Sequence, residues 1–434
     1  MAITNVSKTN ISVTGAGTSN AGAMAIVTTL FFMWGFVTCL NDILIPHLKA
    51  IFDLNYAESM FVQFAFFSGY FVFAVPAGKV IEWIGYKRTM VAGLLTMALG
   101  AVLFLPAASV PAFPFFLAAF VVVAVGMTAL QVSANPYVAV LGPPETASSR
   151  LNLTQAFNSL GTTVAPYFGS VLILSTAPLA IEQIRKLPPA ALQAYRLHEA
   201  ATVRFPYLLI ALVLVALAIA IGLYKLPVIS TVEDTTAIED PNSRAAVKLW
   251  KQRHLILGVV AIFLYVGAEV AIGSFLVNYF SQPDIGAMPQ KTAALYVSFY
   301  WGLAMVGRFV GSAILQKVRA GAMLGLVAII AGLLVLTSMS TFGVVAMWSI
   351  IFVGLFNSVM FPSIFTLGIA GLGPLTGKGS GLLVAAIVGG AIVPVLEGAL
   401  ADRIGIHHAF ILPVLCYIFI AFYGFKGSKQ LAAA

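Results

Sequence analysis

Long uninterrupted apolar runs constrain this chain more than any other feature. A helix needs about 20 apolar residues to cross a bilayer core, and such runs recur along the whole sequence. They read as twelve spans at residues 24–48, 58–81, 88–106, 111–139, 151–175, 204–225, 253–281, 292–315, 319–340, 343–370, 376–403 and 406–425. The composition agrees: 60% of the 434 residues are hydrophobic and only 9% are charged. A soluble domain carries roughly a quarter charged residues and avoids the large apolar patches this balance would expose. A cytosolic enzyme, a secreted disulfide scaffold and a disordered chain are therefore excluded. So is a transmembrane barrel, whose strands alternate apolar and polar residues. Cys39 and Cys416 both lie inside apolar runs and offer neither a disulfide framework nor a metal spacing. The first 20 residues are polar, without the apolar stretch of a cleaved signal.

The expected fold is thus an all-α polytopic membrane protein with twelve transmembrane helices in two pseudo-symmetric six-helix halves. Residues 1–23 read as a disordered cytoplasmic tail and 24–225 as the first bundle. Residues 226–252 read as a cytoplasmic linker, 253–425 as the second bundle and 426–434 as a second tail. Motifs of the first half return in the second in the same order. Gly35 answers Gly267, Pro136 answers Pro362, and Gly161 answers Gly389. Two halves of this kind are the pattern of secondary transporters, with a site between them. Lys and Arg favour one side of the membrane by about two to one, which places both termini in the cytoplasm. The net charge of +8 reflects that bias and calls for no nucleic-acid partner.

Between the second and third spans the chain reads Gly78-Lys-Val-Ile-Glu82-Trp-Ile-Gly85-Tyr-Lys87-Arg88. The glycines allow a tight turn, and the acid and basic pair suit a charge latch between helix ends. This stretch resembles the loop signature of the major facilitator superfamily, although Trp83 stands where a basic residue is usual. The resemblance implies the major facilitator fold. A narrower one is spread over the chain. "NDILIPH" at 41–47, "SANPYVAVLGP" at 133–143, "RLNLTQAFNSLG" at 150–161, "YVGAEVAIGSFLVNY" at 265–279 and "FPSIFTLGI" at 361–369 resemble the fucose:proton symporter family. "LQVSANP" is more similar to that family's glucose/galactose permease branch; in the fucose branch the position of Gln131 is an acid.

Three acids lie well inside the spans: Asp42, Glu269 and Glu397. An ionisable group at that depth is costly and is a functional candidate by default. Asp42 falls 18 residues after Met24, ~27 Å along its helix. It reads as a proton carrier or as a carboxylate held structurally by Asn41 or another helix. The resemblance places the family's coupling acid at Asp42. Glu269 reads as a ligand for sugar hydroxyls, a cation site or the partner of an intramembrane base such as Arg308. Glu397 follows Pro394 by three residues and reads as a site residue or a helix-packing group. Arg308, near the end of the eighth span, is expected to serve the second half's loop latch.

A hexose offers hydroxyls around a weakly apolar ring, so its site needs amides beside aromatic rings. Asn152, Gln155 and Asn158 share one side of the fifth span, and amides both donate and accept. The resemblance carries the family's sugar-binding role onto Gln155 and Asn158. Asn41, Gln131, Asn357 and Phe361 are further candidates, and Trp34, Tyr265 and Trp301 are further aromatic ones. Helix-packing glue is the competing reading of each amide. No zinc spacing, phosphate loop or nucleophile motif stands at a usable position, so no enzyme is expected.

The resemblance implies a cation-coupled uptake system for a hexose such as glucose or galactose. It would be a functional monomer in a bacterial inner membrane, with no cofactor beyond a coupling proton or, alternatively, sodium. A fucose-type permease and a proton-coupled exporter are the rival transporters. A sugar sensor is a rival of another class, but it would need a longer cytoplasmic appendage.

Overall fold

In hydrocarbon a backbone N–H or C=O finds no water, so a spanning segment satisfies these groups internally by coiling into a helix. The computed structural model follows that rule. It describes residues 12–14, 20–52, 56–110, 112–172, 187–230 and 249–429, with the side chains of 41–47 among those left out. The first half comprises β1 (Ser12–Thr14), α1 (Asn20–Phe52), α2 (Tyr56–Ser109), α3 (Phe113–Val140), α4 (Ala147–Leu172), α5 (Pro189–Ala201), α6 (Arg204–Leu223) and β2 (Val228–Ser230). The second comprises α7 (Arg253–Phe280), α8 (Gln290–Ile314), α9 (Ala320–Ser340), α10 (Gly343–Asn357), α11 (Met360–Ile369), α12 (Thr376–Ala385), α13 (Gly389–Ile404), α14 (Ile406–Ala409) and α15 (Ile411–Phe422).

Ten helical stretches among the described residues are long and apolar enough to cross a membrane. One of them lies within α2 and holds the second and third spans together, joined at Gly85. The fifth span, α4, is not among the ten; it carries Asn152, Thr154, Gln155, Asn158, Ser159, Thr162 and Thr163. Counting both recovers the twelve expected spans. The tenth span is divided into α10 and α11, and the eleventh into α12 and α13.

Three details depart from the expected boundaries. The N-terminal tail is not wholly irregular: Ser12–Thr14 pairs antiparallel with Val228–Ser230, so the tail is tied to the start of the linker. Helix α1 begins at Asn20, ahead of residue 24. The connection between the fifth and sixth spans holds the extra helix α5. The linker residues 231–248 and the tail residues 1–11 and 430–434 lie outside the described residues.

The sequence repeat has a packing counterpart. A Cβ on Gly35 would stand 2.1 Å from the Asn158 carbonyl oxygen, and one on Gly161 would stand 2.2 Å from the Phe32 carbonyl oxygen. These glycines let α1 and α4 touch backbone to backbone. In the second half, a Cβ on Gly267 would meet Val393 at 2.3 Å, and one on Gly389 would meet the Phe263 carbonyl oxygen at 2.0 Å. The first and fifth spans thus pack as the seventh and eleventh do, through the same paired positions. Small residues at such crossings are how membrane helices gain close van der Waals contact.

Gly389→Leu is accordingly expected to force α7 and α13 apart. Overpacking of a filled interior costs about 1–3 kcal/mol or more. Thermal unfolding in detergent checks this, with Gly302→Leu as the reference, because nothing lies within 4 Å of a Cβ there. Equal melting of both variants contradicts the packing account.

Candidate functional site

The polar fifth span lies on the seam between the halves. Ser149 Oγ donates to the Ser312 carbonyl at 2.7 Å, and Ser312 Oγ returns a bond to the Ser149 carbonyl at 3.0 Å. Asn152 Nδ2 donates to the Arg308 carbonyl at 2.6 Å. Arg308 reaches back across the seam, donating through Nη1 to Ser159 Oγ and, at 3.4 Å, to the Gln155 carbonyl. Side-chain to backbone bonds of this kind fix two helices without requiring a matched side-chain pair.

The candidate amides divide into two kinds. The Gln155 side chain makes no hydrogen bond among the described residues, which leaves its amide available to a ligand. Gln131 is buried with Oε1 unpartnered, and Asn152 is buried with Oδ1 unpartnered. Asn158 is already engaged: its Nδ2 donates to the Phe31 carbonyl at 2.9 Å, so it also holds α1 to α4. Asn357 differs more strongly from the expectation. It is fully buried, donating to the Tyr300 hydroxyl at 2.9 Å and accepting from the Tyr417 hydroxyl at 2.8 Å. That places it as a tie between the eighth, tenth and twelfth spans. Among the aromatic candidates, Trp34 is buried against Phe31 and Phe361 is half-buried and stacked on Phe365. Trp301 is 45% exposed, and its ring lies against Gly273 of α7.

Among the acids whose side chains are described, Glu269 bears on Arg308 of the seam. Tyr265, one turn earlier on α7, donates its hydroxyl to Glu269 Oε1 at 2.8 Å. The charges of Glu269 and Arg308 act on one another. Glu397 is fully buried with neither carboxyl oxygen hydrogen-bonded and with Cys416 as its electrostatic neighbour. Asp42 and Asn41 belong to α1, but their side chains lie outside the described residues.

A second set of contacts seals the face on which the loop motif lies. Glu82 at the end of the second span forms an ion pair with Lys378 of α12 at 3.0 Å. The acid therefore does not latch to Lys87 or Arg88, as the loop pattern led one to expect; Lys87 instead donates to the Gly222 carbonyl at the end of α6, at 2.8 Å. A Cβ on Gly78 would stand 2.8 Å from the Gly377 carbonyl oxygen, and one on Gly381 would stand 2.7 Å from that of Ala74. Glycine is what lets the second and eleventh spans meet here. Ser380 Oγ adds a bond to the Val132 carbonyl at 2.9 Å, and Ser148 bonds to Thr366. Beside this face, Arg150 caps the end of α3 through the Val138 and Ala139 carbonyls, which a helix end otherwise leaves unpaired. Burial lowers its guanidinium pKa, and Glu145 partly offsets that.

Arg308, expected in the second half's loop latch, is instead bonded to the fifth span. Lys378, Ser159, Ser149 and Ser312 carry much of the seam, yet serines and a lysine in a helix's first turn do not stand out in a sequence. A second turn of the loop type stands in the other half. Gly398, Asp402 and Gly405 repeat the spacing of Gly78, Glu82 and Gly85. Gly405 has φ 81, ψ 153, against φ 79, ψ 168 at Gly85. Both glycines occupy the left-handed region that residues with a Cβ avoid.

Two six-helix halves with a polar seam, sealed on one face, define a polytopic membrane transporter that works by moving the halves about the seam. The chain belongs to the major facilitator superfamily, whose family model matches residues 24–387. It is 53% identical over 408 residues, 94% of each chain, to the glucose/galactose transporter of Brucella abortus. It is 35% identical over 398 residues, 91% of each chain, to the L-fucose-proton symporter of Escherichia coli K12. Among solved structures it resembles the superfamily transporter FucP in its outward conformation, with a TM-score of 0.87 and 33% identity. That match covers 95% of this chain and 100% of the other.

Proposed function

We propose that this protein is a proton-coupled symporter that takes up glucose or galactose by alternating access. The observation that carries the reading is the fifth span. It stands on the seam between the halves and carries the Gln155 amide, unbonded among the described residues, one turn from Asn158. A transmembrane helix bears such polarity where it faces a water-filled or ligand-filled space. The resemblance to a glucose/galactose transporter over nearly the whole chain supports the hexose, and the resemblance to a fucose-proton symporter supports the proton.

In this account Gln155 and Asn158 bind sugar hydroxyls, with Gln131 and Asn41 beside them, and Asp42 carries the proton. The excess of Lys and Arg puts the termini and the sealed face in the cytoplasm of a bacterial inner membrane. The structure then represents a state closed to the cytoplasm, in keeping with the outward conformation of its structural neighbour. Release inside requires the Glu82–Lys378 pair and the Ser149–Ser312 bonds to part.

Counterflow in proteoliposomes tests the substrate. Vesicles loaded with unlabelled galactose should draw in labelled glucose and galactose. Exchange confined to fucose, or absent for both hexoses, refutes the assignment.

A further inference from the structure

We propose that Glu269 is a second proton-binding residue whose charge decides which partner Arg308 holds, so that a proton gained or lost on the seventh span is felt at the contact between the halves. This rests on the reading of the protein as a proton-coupled sugar symporter.

Arg308 is bonded across the seam, and among the described residues no ion pair joins it to Glu269. Arg308 spends Nη1 on Ser159 and on the Gln155 carbonyl, both across the seam and both neutral. Its Nε is buried and has no partner. Glu269, in Arg308's own half, is within electrostatic reach of it. Among the described residues, the carboxylate's one hydrogen bond comes from Tyr265. A bond between a guanidinium and an ionised carboxylate is roughly twice as strong as one to a neutral acceptor. Ionised Glu269 therefore competes with the fifth span for Arg308. When Glu269 takes up a proton, its carboxylate becomes a neutral acid; no other covalent bond changes, and Arg308 stays with Ser159 and Gln155. Because Gln155 is the proposed sugar ligand, the same arginine connects the proton site to the sugar-binding helix.

Few other titratable groups bear on Glu269. Tyr265 on its own helix bonds to it, Tyr300 and Arg308 face it from α8, and Tyr417 faces it from α15. Of the remaining helices packed on α7, α13 carries Glu397, which has Cys416 as its neighbour, and Asp402 and Arg403 in its last turn; α12 carries Lys378, which pairs with Glu82; and α14 carries His407, which bonds to Tyr279, and His408. His254 lies at the far end of α7, bonded to the Ala370 carbonyl.

The test reads a ratio: sugar accumulated on an imposed pH gradient, divided by sugar exchanged in counterflow, for the full chain in proteoliposomes. Glu269→Gln should lower that ratio at least tenfold relative to wild type, and Glu269→Asp should restore part of it. A Glu269→Gln ratio equal to wild type overturns the proposal while leaving the symport reading intact. A wild-type protein that exchanges sugar but ignores the pH gradient overturns the symport reading and the proposal together. If Glu269→Gln yields no exchange, Arg308→Gln is read by the same ratio: a tenfold fall supports the pairing and a wild-type ratio overturns it.

Discussion

Asp42→Asn is expected to abolish accumulation of sugar against a gradient. Asparagine keeps the size and hydrogen-bonding capacity of the side chain but cannot carry a proton. One pH unit stores about 1.4 kcal/mol per proton, enough to concentrate a sugar roughly tenfold at one proton per sugar. The variant should therefore reach an inside-to-outside ratio of about 1 where the wild type approaches tenfold for that gradient. Radiolabelled uptake into proteoliposomes at a fixed pH difference measures it. Continued uphill transport by Asp42→Asn would move the carrier role to Glu269 or Glu397. Asp42 is the strongest candidate because it is an acid in the outer half of the first span, at the position where the family resemblance puts the coupling group.

Gln155→Ala should weaken sugar binding without weakening the fold. Its side chain makes no hydrogen bond among the described residues, so its removal leaves none of their polar groups newly unpaired. What is lost is one or two bonds to hydroxyls in a desolvated site, about 1–3 kcal/mol, or roughly ten- to a hundredfold in affinity. Asn158→Ala should behave differently. It also strips the Phe31 carbonyl of its donor at the α1–α4 contact, so it should lose both affinity and thermal stability. Binding titrations and melting curves on the two purified variants separate these effects. A Gln155→Ala protein that binds sugar as the wild type does removes the fifth span from the binding site.

Much of the architecture was legible in the chain itself. The apolar runs marked the spans, and Gly35, Gly161, Gly267 and Gly389 marked the repeat that the helix packing then matched. The fifth span also stood out by its amides. The roles of individual polar residues were less legible, for a physical reason. Lipid is as apolar as a protein core, so a membrane helix shows little hydrophobic periodicity to reveal which face meets lipid and which meets the seam. Asn357 and Gln155 thus look alike in sequence, yet one is tied between two tyrosines and the other has no hydrogen bond among the described residues. Arg308 lies six residues, about 9 Å, from the end of its helix, and only its contacts distinguish an interior residue from a loop residue. Glu82 meets Lys378 through the closure of two distant spans, which the loop motif alone does not specify.

In the proposed cycle hexose and protons move together. The most direct measurement is the external pH of a weakly buffered, sodium-free suspension of proteoliposomes when galactose is added. The account predicts that the medium turns alkaline as sugar enters, with an amplitude unchanged by sodium and absent in Asp42→Asn. Sugar entry that requires sodium and leaves the external pH still would contradict it.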